Sequence, residues 1–278
     1  MSEMDLFRKA LEARRARQEK TAQKEGIAAS IIEELGEIER RENVKILHCV
    51  ESGSRAWGFA SPDSDYDVRF IYVRPPEFYL RLDKRRDVID WQLDDTYDIN
   101  GWDITKALTL LHKSNPTLFE WNSSPIVYKT SEVWQNLSEL INSYFVAKSG
   151  LYHYISTAKA NYSEYFSGET VKYKKYFYVL RPILACEWIL AEGTPPPMEF
   201  SVLMEKYLDP DIKPDVDKLI DIKVNTPELA SGEKMSRIND YIERTIPKIE
   251  EQIEALPPEK AKGFDDLNRT FIEILNSK

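Results

Sequence analysis

Cysteine is scarce in this 278-residue chain: Cys49 and Cys186 are its two, and they lie far apart. Two are too few for a disulfide scaffold or a cysteine zinc site. The three histidines, His48, His112 and His153, are too scattered for a His-x-x-x-His metal pair. No apolar run approaches the roughly 18–20 residues of a membrane span, and the first residues carry no apolar signal core. The expectation is a reducing, cytoplasmic setting without a membrane. Basic charge is in deficit, with 47 acidic against 38 basic residues and a net charge of −9. A protein that coats nucleic acid through phosphate contacts alone is normally basic, so that class is excluded, although a local basic groove is compatible.

What is present supports a real core. The chain is 42% hydrophobic and 31% charged, which excludes wholesale disorder. Its length stands where single cores begin to divide, at about 250–300 residues. Residues 1–26 read as a charged helix or arm. Ile27, Ile31, Ile32, Leu35 and Ile38 recur at helical spacing, predicting an amphipathic helix over Ile27–Glu39. Val44–Val50 is a β-branched run and predicts a buried strand. The Gly/Ser/Pro/Asp-rich stretch Glu51–Asp65 reads as irregular. Tyr66–Val73 predicts a second strand, and Val88–Leu93 and Thr96–Gly101 two weaker ones. A helix over Asp103–Lys113 with Asp103 as N-cap follows, then a short one over Thr117–Trp121. From Ser131 the pattern is helical: Val133–Phe145, Tyr152–Phe166, Tyr173–Ala191, Phe200–Tyr207 and two stretches near 236–255 and 264–276. The organisation read from this is an α/β unit over 27–130 and a helical unit over 131–278.

One segment carries chemistry. Gly53-Ser54 directly follows a strand, and about a dozen residues later Asp65 and Asp67 alternate at the start of the next. Residues i and i+2 of a strand share a face, so both carboxylates aim into one site. Like charges so placed are unfavourable without a cation between them, and oxygen-preferring magnesium suits carboxylates together with substrate phosphates. Gly53 lets a phosphate approach the backbone and Ser54 adds a hydroxyl. An EF-hand reading of Asp63-x-Asp65-x-Asp67 fails, because Val68 stands where that loop needs glycine and Arg74 where it needs glutamate.

Gly53-Ser54, the gap and Asp65-Tyr66-Asp67-Val68 resemble the signature of the DNA polymerase beta nucleotidyltransferase superfamily. The longer strings Gly53-Ser-Arg-Ala-Trp-Gly58 and Ser61-Pro-Asp-Ser-Asp-Tyr-Asp67 are similar to its RNA-ligase-associated (RlaP) branch. So are Ser114-Asn-Pro116, Glu120-Trp121, Ser124–Tyr128 and Lys174–Pro182. The resemblance implies an α+β fold: a small mixed β-sheet of the polymerase-beta palm type followed by a helical domain. It implies three acids holding two magnesium ions, with manganese an alternative, and a nucleoside triphosphate such as ATP as substrate. The third acid is expected on a later strand. Asp98 is preferred, Asp103 ranks second because helix capping explains it, and Asp90, Asp94 and Asp95 complete the candidates.

Arg55 follows the Gly-Ser pair and is a candidate phosphate ligand, the competing role being an ion pair to Asp63 or Asp65. Trp57 and Phe59 read as packing residues. Lys174, Tyr178 and Arg181 fall at i, i+4 and i+7 and share a helix face, a candidate basic stripe for the triphosphate tail, while Phe177, Leu180 and Leu184 form the buried face. The expected activity is transfer of a nucleoside monophosphate to an acceptor hydroxyl on an RNA end, a protein side chain or a small molecule, releasing pyrophosphate. The alternative is a non-catalytic or regulatory module such as a toxin–antitoxin component.

Overall fold

The computed structural model describes residues 26–61, 63–92, 96–226 and 230–277. The expected arm over residues 1–25, and the candidates Asp94 and Asp95, lie outside them.

The fold is α+β, built on a mixed five-stranded sheet in the order β3-β4-β2-β1-β5. Strand β1 (Lys45–Glu51) runs antiparallel to β2 (Tyr66–Val73) on one side and to β5 (Val127–Thr130) on the other. Strand β2 is parallel to β4 (Tyr97–Asp103), and β3 (Val88–Gln92) closes the far edge antiparallel to β4. The two weaker strand expectations are therefore real, shifted by one or two residues.

Alternation along the strands sorts side chains onto two faces. Val68, Phe70, Tyr72, Ile46 and Ile99 face helix α1 (residues 26–42), whose Ile31, Leu35 and Ile38 meet them. Leu47, Val50, Ile71 and Val73 face the opposite way. There they meet α4 (Ile104–His112), α5 (Pro116–Asn122), α6 (Glu132–Ile141) and α12 (Asp265–Asn276). Helices from both sides of residue 131 thus share one core with the sheet. Trp134, Leu137 and Ile141, all beyond residue 131, bury their side chains in this core.

The helical half centres on α8 (Lys174–Glu192), with α7 (Ala147–Tyr165), α9 (Phe200–Tyr207), α10 (Lys213–Asn225) and α11 (Ser236–Ala255) around it. Helix α7 begins five residues before the expected Tyr152. The sequence pattern does not show α10, whose apolar positions are interrupted by Lys and Asp. The irregular reading of residues 51–65 needs one correction: Gly53–Trp57 is a one-turn helix, α2, closed by Gly58 in the left-handed conformation at φ 93°. The chain after α2 docks on the helical half, because Phe59 stacks on Phe177 at 4.3 Å between ring centres. Phe59 thus ties the turn beside β2 to the second core.

Candidate active site

Asp67 and Asp98 are direct register partners on the parallel strands β2 and β4. Paired residues point to the same face, so the sheet itself brings two of the three expected acids together. Asp98 shares that face with Trp102, which packs on the α4–α6 core. Asp103 is five residues further along β4, buried, and accepts hydrogen bonds from the Thr105 amide (2.8 Å) and the Tyr79 hydroxyl (2.9 Å). It is the N-cap of α4 and belongs to the far end of the strand. Asp90 lies on the edge strand β3, bonded by Asn100 and Arg86.

Gly53 explains why this turn is a glycine. Its φ is +57°, and a Cβ there would stand 1.9 Å from Asp67 Oδ2. Only a residue without a side chain leaves room for the carboxylate and adopts that conformation freely. The Ser52 amide donates to the Asp67 carbonyl (2.8 Å), fastening the turn to β2. Ser54 is half-buried within α2. Asp65 is exposed just before β2, and among the described residues no donor reaches its carboxylate.

Arg69 is the residue that the sequence reading missed. One guanidinium nitrogen donates to Asp67 Oδ1 (2.8 Å) and to Asp98 Oδ2 (2.7 Å), and another donates to the Asp98 carbonyl (2.7 Å). It supplies the positive charge that the two carboxylates require. The signal was available: Asp65, Asp67 and Arg69 follow the same period-two alternation. Among the described residues, no three acidic, histidine or cysteine side chains converge on one point. The donor set is nonetheless all oxygen, as hard divalent cations prefer. Asp67 and Asp98 fit such an ion once Arg69 yields or shares its place, while Asp65, exposed just before β2, does not converge with them.

Glu51 lies beneath this arrangement, fully buried. It accepts the Asp67 amide (2.9 Å) and the Tyr128 hydroxyl, while its carbonyl takes the Ser124 hydroxyl (2.6 Å). Burial pushes its carboxyl up to about 7; the nearby Asp67 charge adds to the rise, and the two hydrogen bonds oppose it.

The loop carrying Asp65 is held by two cations. Arg55 donates to the carbonyls of Ser64 and Asp65 (2.9 Å to the latter) and lies 3.6 Å over the Tyr66 ring. Backbone carbonyls, rather than the side chains of Asp63 or Asp65, are its anchors. Lys223 reaches in from α10, buried, and donates to the Ser61 hydroxyl at 2.7 Å. Ser61 and Ser64 are themselves 2.9 Å apart between hydroxyl oxygens.

The expected basic stripe on α8 is not one. Arg181 is buried and donates to Glu120 Oε1 (2.7 Å) and to the Met198 carbonyl (3.2 Å), so its charge is cancelled inside the protein. Tyr178 is half-buried against Trp57, in an edge contact at 5.8 Å, and Lys174 opens the helix. The buried face is as expected, with Phe177, Leu180 and Leu184 fully enclosed. No signal in the sequence linked Glu120, which is 61 positions away, to Arg181.

A mixed sheet with a glycine turn pressed against an aspartate of β2, and an acid partner on the parallel strand β4, defines a polymerase-beta-type nucleotidyltransferase fold. The chain belongs to the RNA repair pathway DNA polymerase beta family (RlaP), which it matches over residues 27–273. It is also 46% identical over 247 residues to the uncharacterized protein YcgL of Bacillus subtilis (strain 168), covering 88% of this chain and 95% of that protein.

Proposed function

We propose that the protein is a metal-dependent nucleotidyltransferase that moves a nucleoside monophosphate from a nucleoside triphosphate to an acceptor hydroxyl. The observation that carries this reading is the Gly53–Asp67–Asp98 arrangement, in which a glycine turn abuts an acid pair in register. Asp65, Asp67 and Asp98 would hold magnesium, which when bound supplies charge stabilisation at the transferring phosphoryl group. Gly53 and Ser54 offer the turn to the phosphates, and Arg55 keeps the Asp65 loop in place beside them. Asp98, more exposed than Asp67, would take the acceptor's proton. The acceptor oxygen forms its bond to the α-phosphorus as the bond to pyrophosphate breaks, and the hydroxyl proton passes to the carboxylate.

The acceptor is an RNA end, a protein side chain or a small molecule; membership of an RNA repair pathway family favours RNA. One observation favours a second reading, a non-catalytic or regulatory module such as a toxin–antitoxin component: Arg69 already neutralises Asp67 and Asp98. Incubation with labelled triphosphates and magnesium separates the two. Label transfer with pyrophosphate release supports the enzyme, and its absence with every triphosphate supports the module.

A further inference from the structure

At the C-terminal end of α2 a cleft of about 240 Å³ opens between the sheet unit and the helical half. Trp57, Tyr154 and Tyr178 wall it, and the Glu120–Arg181 ion pair lies in it. Its shape has a local cause. Pro182 has no amide hydrogen, which leaves the Tyr178 carbonyl without its helical partner. The Asn161 side chain fills that place, donating to the carbonyl at 3.0 Å, and both residues line the cleft.

We infer that this cleft receives the base of a nucleoside rather than a triphosphate tail; the inference rests on the nucleotide-dependent reading above. Three features point that way. The charges on the residues that line the cleft cancel, because Glu120 and Arg181 face each other at 2.7 Å, and a polyphosphate would find no net positive charge on its walls. Three of its lining side chains, Trp57, Tyr154 and Tyr178, are aromatic, a composition that suits planar heterocycles. Its hydrogen bonding is unsaturated in a base-like way. Glu120 Oε1 takes both Arg181 and the Tyr154 hydroxyl (2.7 Å each), leaving Oε2 without a donor among the described residues. Trp57 Nε1 and one Arg181 nitrogen, both buried, likewise have no partner there. An acceptor oxygen and two N–H donors carried by residues that line the cleft match the mixed edge of a nucleobase.

The location agrees. Gly53 opens α2 against Asp67 and Trp57 closes it, so the cleft lies one turn, about 6 Å of helix rise, from the proposed phosphate turn. A base held at Trp57 directs its phosphates back along α2 toward the acids.

The test is calorimetric titration of the full chain with adenosine, guanosine, cytidine and uridine, and separately with inorganic tripolyphosphate, all with magnesium. Two variants accompany it: Tyr178→Leu, which removes an aromatic wall, and Thr157→Phe, which fills the cleft from a half-buried position on α7. At least one nucleoside should bind, and both variants should weaken it tenfold or more while tripolyphosphate changes less than twofold. Nucleoside affinity unchanged in both variants, or no nucleoside binding to the wild type, overturns the inference. The outcome is separable from that of the enzyme reading. Nucleoside binding without transfer to any acceptor defeats the enzyme and leaves the cleft; transfer with unaltered base dependence in both variants defeats the cleft and leaves the enzyme.

Discussion

Gly53 and Asp67 occupy one another's space: a Cβ at position 53 would overlap Asp67 Oδ2 at 1.9 Å. The turn and the acid are therefore a single mechanical unit. Gly53→Ala should cost about 1–2 kcal/mol from the left-handed backbone alone, lowering Tm by roughly 2–8 °C. It should also displace Asp67 and reduce transfer by about 100-fold, as ångström-scale misplacement does. Thermal melts and a transfer assay on one preparation check this. An unchanged Tm with full activity would show that the turn is not under this constraint.

Arg69 competes with a cation for Asp67 and Asp98. In Arg69→Met the two register partners face each other uncompensated, so at low salt Tm should fall by a few degrees. The loss is modest because the Asp98 side chain is half exposed, at 51%. Millimolar magnesium should restore the melting temperature of Arg69→Met but not that of Arg69→Met with Asp67→Asn. Equal magnesium responses in the two would show that these carboxylates do not take the ion.

Two buried groups give opposing pH slopes. The Glu51 carboxyl is raised by burial from an ordinary 4.5 to about 7, so the folded state holds a proton that the unfolded chain releases. Its contribution is complete below about pH 4.5 and is lost as pH rises through 7. His48 is lowered by burial from 6.5 to about 4, so its contribution is lost as pH falls from 6.5 toward 4. Between about pH 4.5 and 6.5 the slopes oppose each other. Glu51→Gln keeps an acceptor for the Asp67 amide and removes one slope, by on the order of 2–3 kcal/mol across the range. Its stability should then rise with pH between 4.5 and 6.5 more steeply than the wild type's; denaturant unfolding at half-unit pH steps reads this. Parallel wild-type and variant profiles would refute it.

How much of this was legible in the sequence follows from the range of each interaction. The α1, β1 and β2 patterns, the short Thr117–Trp121 helix and the Gly53–Asp67 motif are local, and local patterning reveals them. Asp98 was reachable through the family resemblance, which implied a third acid on a later strand; its register with Asp67 is a tertiary fact. Helix α10 was hidden because its buried positions include Lys223, a lysine reaching Ser61 at 2.7 Å across 162 residues. The basic stripe was misread for the same reason: helical period tells which residues share a face, but only tertiary contact showed Glu120 cancelling Arg181. The shared core of α6 and α12 with the sheet was likewise a matter of packing across the expected boundary.

The Glu120–Arg181 pair should be costly to break and cheap to replace. Glu120→Gln leaves a guanidinium buried at 3% exposure without its countercharge, a loss of about 3–5 kcal/mol. Adding Arg181→Met should recover most of it, because no uncompensated charge remains. A double-mutant cycle by urea unfolding measures the coupling, and strict additivity would show that the pair is not a unit.

The most direct test of the central claim uses Asp65→Asn. Asp65 is exposed and its carboxylate takes no donor among the described residues, so the substitution removes a candidate metal ligand without disturbing the fold. Wild type and variant are incubated with magnesium, each α-labelled triphosphate in turn, and total RNA or total protein as acceptor. The account predicts label transfer with stoichiometric pyrophosphate from the wild type, and transfer reduced at least 1,000-fold, on the order expected for loss of a catalytic metal ligand, at unchanged Tm in the variant. Equal transfer by both proteins, or none by the wild type with any triphosphate and acceptor, would contradict it.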